Sequence, residues 1–225
     1  MATQPKHLAK LVFEERLIFA EEVVARAGVL DEATAEVLIK AFASVPREQF
    51  LDPRLSERAY HDAILPIGFG EYISKPSMLA RMAALLGIKK GHRVLEIGAG
   101  SGYSGAALSA TGARVFSVEL VGLLAQRTRH KLDDLNYGNV IIRRGEGKKG
   151  WAEHAPYDAI LVSTPFESIE PELLDQLIRP GGRLVAPIGD EFSQTLTLWE
   201  ARADGVKRYP LEACDFNETK PVVSA

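Results

Sequence analysis

Residues 94–105 read VLEIGAGSGYSG, an apolar run followed by four closely spaced glycines. Positions Gly100 to Gly105 form a literal G-x-G-x-x-G. The pattern predicts a β-strand that turns sharply into a helix, because glycine permits positive φ angles and lets a ligand approach the backbone closely. Any adenosine-bearing ligand that crosses such a turn needs the same freedom. The glycines alone therefore leave open whether the ligand is a dinucleotide or another adenosine compound.

Apolar strands and helical stretches alternate after Gly91. The strands read RVLEI, RVFSV, NVIIRR, DAILVS and PGGRLVAPI, with helices expected from Gly102, from Leu120 to Leu135 and over PELLDQLI. This order predicts a doubly wound, mostly parallel α/β sheet of Rossmann-like type with helices on both faces. QTLTLWEA and GVKRYPL, joined by a turn at Asp204-Gly205, predict an antiparallel hairpin at the end of the sheet. Ligands bind beyond the carboxyl ends of such strands, which places the loop after Ile97 at the site.

The first part of the chain is predicted to be helical and then irregular. Apolar residues at helical spacing predict one helix over residues 8–27 and a second from an Asp31 cap to the stop at Pro46. Prolines and glycines break every pattern from Pro46 to Pro76, so we expect a long ordered loop region there. A further helix is expected from Pro76 through Leu86.

The length of 225 residues suits a single domain spanning residues 1–225. Within it we expect a helical and loop extension over residues 1–90 that supplies the substrate side. The cofactor-binding core then covers residues 91–200, and residues 201–225 form a C-terminal strand and tail.

Composition narrows the function classes. The chain is 46% hydrophobic and 25% charged with a net charge of −3, and its basic residues are scattered, so we expect no nucleic-acid partner. No apolar run is long enough to span a membrane, and no signal-peptide core is visible near the start. The one cysteine, Cys214, fits a reducing compartment, so we expect a cytoplasmic protein. The five histidines are dispersed, and we expect no metal site.

Acidic residues near the glycine loop bear on the choice of ligand. Glu119 ends the second strand about twenty residues beyond Gly98, where a carboxylate can accept both hydroxyls of a ribose. NAD and S-adenosylmethionine both fit that feature. Glu96, at a strand end where dinucleotide sites usually keep an apolar residue, suits a ligand with an amino group and a sulfonium. The loop also has no Lys or Arg for a diphosphate, and no tyrosine begins a Y-x-x-x-K pair, so S-adenosylmethionine is favoured.

Several motifs in a fixed order resemble one family within the class I methyltransferases. They read VPREQF, AYHDAILPIGFGEYISKP, VLEIGAGSGYSGAALS, GEGKKGW, APYDAILVS and LIRPGGRLVAPIG. Together they are similar to the protein-L-isoaspartate O-methyltransferase family over roughly Val45 to Gly189. The resemblance implies methyl transfer from S-adenosylmethionine, with S-adenosylhomocysteine as product, to the free carboxylate of L-isoaspartyl residues in damaged peptides and proteins. The ester then collapses to a succinimide, which makes the methylation a protein-repair step.

The resemblance also implies roles for single residues. Ser74 in YISKP would hydrogen-bond the acceptor carboxylate; its alternative reading is a helix N-cap before Pro76. Glu146 in GEG would approach the adenine; its alternative reading is a solvated loop charge. The full set of expected cofactor contacts is Glu96, Gly98, Gly100, Gly102, Tyr103, Glu119, Leu120, Gly145 and Glu146.

Departures from the family pattern affect the substrate more than the fold. Glu146 stands where Asp is usual, and Lys75 replaces an uncharged polar residue beside Ser74. The segment after the fourth strand reads STPF, and the ending ACDFNETKPVVSA replaces the usual Phe-Val-Pro-Leu. We expect the peptide groove along residues 59–76 and 164–169.

Three functions remain open from the sequence. The first is isoaspartyl methylation by a monomeric enzyme. The second is a methyltransferase of the same fold that acts on a different carboxylate or a dedicated peptide. The third is a nucleotide-binding oxidoreductase or a catalytically silent binding module.

Overall fold

The computed structural model describes residues 4–190, 192–214 and 216. Its helices are α1 (Gln4–Arg26), α2 (Glu32–Ser44), α3 (Pro76–Leu86), α4 (Tyr103–Ala110), α5 (Gly122–Asp134) and α6 (Pro171–Leu174). Its strands are β1 (Leu65–Gly68), β2 (Glu71–Ile73), β3 (Arg93–Ile97), β4 (Arg114–Glu119), β5 (Val140–Arg144), β6 (Ala159–Val162), β7 (Arg183–Gly189), β8 (Gln194–Arg202) and β9 (Gly205–Cys214). Short 3-10 helices cover Arg47–Phe50, Pro53–Arg58 and Ala152–His154.

Seven strands form the main sheet in the order β5-β4-β3-β6-β7-β8-β9. The pairs from β5 to β7 are parallel, whereas β7, β8 and β9 pair antiparallel. The predicted doubly wound sheet with a C-terminal antiparallel hairpin is therefore confirmed. Strand β6 is buried along its whole length, as expected for a parallel strand covered on both faces.

The core lies on both faces of this sheet. Val94 belongs to a cluster that includes the packed faces of α2 and α3, while Leu95 and Ile97 belong to a second cluster on the opposite face. This separation follows from the alternation of side chains along a strand. Because β3 to β7 pair in parallel, their carboxyl ends lie at the same edge of the sheet.

The N-terminal helices agree with the sequence patterns. Helix α2 begins after Asp31, whose carboxylate accepts from the Thr34 backbone N–H at 2.8 Å, and it ends at Ser44, before Pro46. A side-chain cap of this kind satisfies one of the free N–H groups of a first helical turn. Helix α1 runs over Gln4–Arg26 and packs against α2.

The structure corrects two sequence predictions. Residues 46–76, expected as loop, contain two 3-10 helices and the small hairpin β1–β2, in which Leu65 pairs with Ile73. The hairpin reverses through three residues with positive φ, including Phe69 at 59°. The helix expected over residues 171–178 ends at Leu174, because the backbone of Gln176 and Ile178 bonds instead to Tyr157.

Two further sequence predictions concern the chain end and membranes. Most of the predicted tail after Cys214 lies outside the described residues. Across the described ranges, none of the helices is long and apolar enough to cross a membrane.

Candidate functional site

A cavity of about 950 Å³ opens at the carboxyl ends of β3 and β4. Its wall is formed by the glycine loop after β3, the end of β4, residues 145–148 after β5, the β2–α3 segment and residues 163–167 after β6. The volume is within the range of sites that hold a cofactor or a drug-sized ligand. Among residues 4–190, 192–214 and 216, no group of acidic, cysteine and histidine side chains could hold a metal ion.

The glycine loop is hydrogen-bonded to strand β4. The Gly98 backbone N–H donates to the Val118 carbonyl at 2.9 Å, and the Gly98 φ angle is 91°. Gly102, the N-cap of α4, has a φ angle of 89°, and a Cβ built there would lie 2.6 Å from Thr128 Cγ2. Gly98 lines the cavity, whereas Gly102 faces α5 and shapes the loop from behind.

Glu119 reaches back from β4 to the glycine loop. One carboxylate oxygen accepts the Gly100 N–H at 2.9 Å, and the other accepts the Val121 N–H at 2.9 Å. The side chain lines the cavity although Glu119 is only 6% exposed. Each oxygen keeps a lone pair free of backbone bonds, so the carboxylate can accept two neighbouring hydroxyls.

Glu96 lies behind the cavity rather than in its wall. It is fully buried, and its two carboxylate oxygens accept hydrogen bonds from the hydroxyls of Ser104 and Ser117. Burial raises the pKa of the Glu96 carboxyl to about 7, with the nearby Glu119 charge acting in the same direction and the serine bonds opposing it. Ser104 itself lines the cavity. Glu96, expected to contact the ligand, is not among the residues that line the cavity, and Ser104 lies between its carboxylate and the cavity.

Tyr103 and Arg47 meet beneath the same loop. The Tyr103 ring lines the cavity, its hydroxyl has no hydrogen-bond partner in the described structure, and the Arg47 guanidinium carbon lies 5.4 Å from its centre. Arg47 is fully buried and donates to the carbonyls of Ala59, His61 and Ala63. No sequence pattern assigns Arg47 a role, because its acceptors are backbone carbonyls of a later segment.

Three residues form the rim where an adenine is expected. Leu120 is 68% exposed beside Glu119, the Gly145 N–H donates to the Glu119 carbonyl at 2.9 Å, and Glu146 is exposed. All three line the cavity, as does Lys148. An apolar side chain can contact one face of a purine, and a carboxylate next to it can accept from the purine's amino group.

Ser74 also lines the cavity, just before α3. The N-cap of α3 is Lys75, which makes no side-chain capping bond, and Ser74 is bonded to no other residue of the described part of the chain. The first turn is instead capped by Asp62, which accepts from the Ser77 N–H at 2.9 Å and from the Ser77 hydroxyl at 2.7 Å. The alternative reading of Ser74 as the helix cap is therefore wrong.

Only parts of the two predicted groove segments reach the cavity. From residues 59–76 these are Ile64 and residues 70–75, while the carbonyls of Ala59, His61 and Ala63 accept from Arg47. From residues 164–169 they are residues 164–167. Lys75 lines the cavity beside Ser74.

Comparison with known proteins assigns the family. The family model described as protein-L-isoaspartate(D-aspartate) O-methyltransferase matches residues 22–217. A protein-L-isoaspartate O-methyltransferase of Gloeobacter violaceus is 40% identical over 83% of this chain and 93% of its own length. A protein-L-isoaspartate O-methyltransferase of Xanthomonas euvesicatoria pv. vesicatoria is 44% identical over 82% of this chain and 79% of its own length.

Solved structures agree with the sequence relatives. A protein-L-isoaspartate O-methyltransferase structure has a TM-score of 0.76 at 30% identity and covers 88% of this chain; the chain spans 63% of that one. A putative protein-L-isoaspartate O-methyltransferase of Plasmodium falciparum, solved with S-adenosyl-L-homocysteine, has a TM-score of 0.72 at 22% identity and covers 87% of this chain and 95% of its own. The second likeness concerns the fold alone.

Sheet order, glycine loop and strand-end carboxylate together define a class I methyltransferase. Within that class, the chain belongs to the protein-L-isoaspartate(D-aspartate) O-methyltransferase family. The resemblance found in the sequence motifs is confirmed.

Proposed function

We propose that this protein methylates the free carboxylate of L-isoaspartyl residues in damaged proteins and peptides, with S-adenosylmethionine as methyl donor. The observation that carries the proposal is the shared cavity: Ser74, with an unbonded hydroxyl, and Glu119, with two free lone pairs, line the same space. Family membership supplies the reaction, and this geometry supplies one side for an acceptor and one for a donor.

The cofactor side fits an adenosyl group. The strand-end carboxylate of Glu119 suits the ribose diol, and Leu120, Gly145 and Glu146 form the rim proposed for the adenine. Ser104, bonded to the buried Glu96, would present an oxygen to the amino group at the other end. When bound, S-adenosylmethionine supplies a sulfonium methyl: an acceptor carboxylate oxygen takes the methyl carbon, the carbon–sulfur bond breaks, and its electron pair stays on sulfur.

Ser74 orients the acceptor and does not attack. A carboxylate is already ionised at neutral pH, so the transfer needs no general base. A hydroxyl that donates to one carboxylate oxygen directs the other toward the methyl group, and such positioning can contribute several kcal/mol, up to about 7 to 11 in favourable systems. Residues 70–75 and 164–167, which also line the cavity, are proposed to receive the peptide backbone.

Several sequence expectations belong to the same proposal. Residues 1–90, together with residues 164–167, supply the acceptor side, and residues 91–200 form the cofactor-binding core of the same domain. The enzyme acts as a monomer in the cytoplasm, on peptides and proteins rather than nucleic acids. The sequence has one cysteine, Cys214, and so no intramolecular disulfide, which is consistent with a reducing compartment.

Label transfer from methyl-labelled S-adenosylmethionine to paired isoaspartyl and aspartyl peptides tests the proposal. We expect label on the isoaspartyl peptide only. Labelling of neither peptide, with intact binding of S-adenosylmethionine, would move the function to another carboxylate. Binding of NADH in place of S-adenosylmethionine would favour an oxidoreductase.

The Ser74→Ala variant tests the proposed acceptor contact. We expect kcat/KM for the isoaspartyl peptide to fall about ten- to a hundredfold, because one hydrogen bond to a charged group is lost. The melting temperature should stay at the wild-type value, since Ser74 caps no helix. Wild-type kinetics in this variant would remove Ser74 from the site.

A further inference from the structure

The first turn of α3 has no side-chain cap from its own N-cap residue. Lys75 occupies the N-cap, and its side chain carries only donors, while Pro76 has no N–H. The first N–H of the helix is therefore that of Ser77, and its partner is Asp62, fifteen residues earlier in the chain. The Asp62 carboxylate accepts from both the backbone and the hydroxyl of Ser77, at 2.9 and 2.7 Å. Its negative charge also suits the positive end of a helix.

Arg47 fixes the backbone on both sides of Asp62. The buried guanidinium donates to the carbonyls of His61 at 3.3 Å and Ala63 at 3.2 Å, the two neighbours of Asp62, and to that of Ala59 at 2.7 Å. A buried arginine bonded to three carbonyls fixes the backbone of this segment, because breaking any one bond leaves a buried polar group unsatisfied. Asp62 is thus a fixed point for the start of α3.

We propose that Asp62 is a positioning residue for the acceptor carboxylate, acting through Ser74. This inference rests on the proposed function. The Ser74 hydroxyl has no partner of its own in the described structure, so its location is set by the backbone that enters α3. That backbone is tied down three residues later, at Ser77, by Asp62. Without the hydrogen bond between Asp62 and Ser77, Ser74 is still present, but its distance from the methyl donor is no longer fixed.

The test compares two variants, each of which lacks the capping side chain of one helix. Asp62→Ala removes the cap of α3, and Asp31→Ala removes the cap of α2, which bonds Thr34 far from the cavity. We expect both variants to melt at a lower temperature than the wild type. Only Asp62→Ala should lower kcat for an isoaspartyl peptide, by about tenfold, with the Kd for S-adenosylhomocysteine within twofold of wild type.

Three further variants separate positioning from loss of structure. Asp62→Asn can still accept the Ser77 N–H and donate to its hydroxyl, so it should keep kcat within about threefold of wild type. In a Ser74→Ala background, Asp62→Ala should cause no further loss of kcat, because its effect runs through the missing hydroxyl. Ser77→Ala, which loses only the hydroxyl bond, should reduce kcat in the same direction and serves if Asp62→Ala does not fold.

Four results would decide against the inference. Asp62→Ala and Ser77→Ala could turn over like wild type; the losses from Ser74→Ala and Asp62→Ala could simply add; the cofactor Kd could rise in step with the loss of kcat; or Asp31→Ala could lose the same activity. An inactive wild type would instead refute the proposed function, which keeps the two failures distinguishable.

Discussion

Removing the Glu119 carboxylate should weaken the cofactor side of the cavity without touching the acceptor side. In the structure each oxygen already accepts one backbone N–H, from Gly100 and from Val121, and each has one further lone pair to offer. A hydrogen bond to a charged group contributes about 1.5 to 3 kcal/mol. Glu119→Ala should therefore raise the Kd for S-adenosylhomocysteine by about tenfold to 150-fold.

The same change also frees two backbone N–H groups in the glycine loop, so affinity alone does not identify a ribose contact. The assay is isothermal titration calorimetry with S-adenosylhomocysteine and its 3′-deoxy analogue, on wild type and variant. If Glu119 holds the ribose, the wild type discriminates against the deoxy analogue by about tenfold and Glu119→Ala binds both compounds alike. NADH should bind neither protein.

Two outcomes would refute this account of Glu119. One is an affinity for S-adenosylhomocysteine within twofold of wild type. The other is equal discrimination against the deoxy analogue in both proteins, which would mean that the variant had lost only loop structure.

Glu146→Gln should weaken S-adenosylmethionine and S-adenosylhomocysteine alike, by about two- to tenfold in calorimetry, because they share the adenine; two unchanged affinities would make Glu146 a solvated charge. Glu96→Gln should gain stability relative to wild type as the pH rises. Folding raises the pKa of the Glu96 carboxyl from 4.5 to about 7, so between these values the folded state binds a proton that the unfolded state releases, and wild-type stability falls by up to about 3 kcal/mol. Melting curves from pH 5 to 8 without ligand would contradict this if the difference stayed constant. Lys75→Gln should raise KM for an anionic isoaspartyl peptide severalfold at low salt and less at high salt, with the cofactor Kd unchanged; a KM increase that salt does not reduce would exclude an electrostatic role.

The sheet was predictable because its signals are local and repeated. Strands separated by helical stretches require parallel pairing, as β3 and β4 show. The acidic end of β4 was expected near the glycine loop, and Glu119 accepts a hydrogen bond from Gly100 in that loop. The hairpin β1–β2 was missed because its strands have four and three residues and its reversal includes a non-glycine residue, Phe69, at positive φ. Such a turn is held by its surroundings rather than by its sequence.

The glycine loop of the site was predictable from the sequence, whereas the residues that hold the loop and the start of α3 in place were less so. The cap of α3 comes from Asp62, fifteen residues away, and no sequence pattern links the two. For Glu96, alternation along β3 places its side chain on the same face as Val94, opposite Leu95. The sequence contains that alternation, but it does not show that Ser104 and Ser117 stand between the carboxylate and the cavity.

The third glycine of the literal G-x-G-x-x-G has a partner in the buried carboxylate. A Cβ built on Gly105 would lie 3.1 Å from Glu96 Oε2 and 3.2 Å from Val140 Cγ1. Helix α4 can approach β3 and β4 this closely because residue 105 has no side chain. The space that a side chain there would need is taken by the Glu96 carboxylate. The glycine that completes the dinucleotide-like pattern therefore makes room for a buried acid: a methyl group at position 105 would require both Glu96 and Val140 to shift by a few tenths of an ångström.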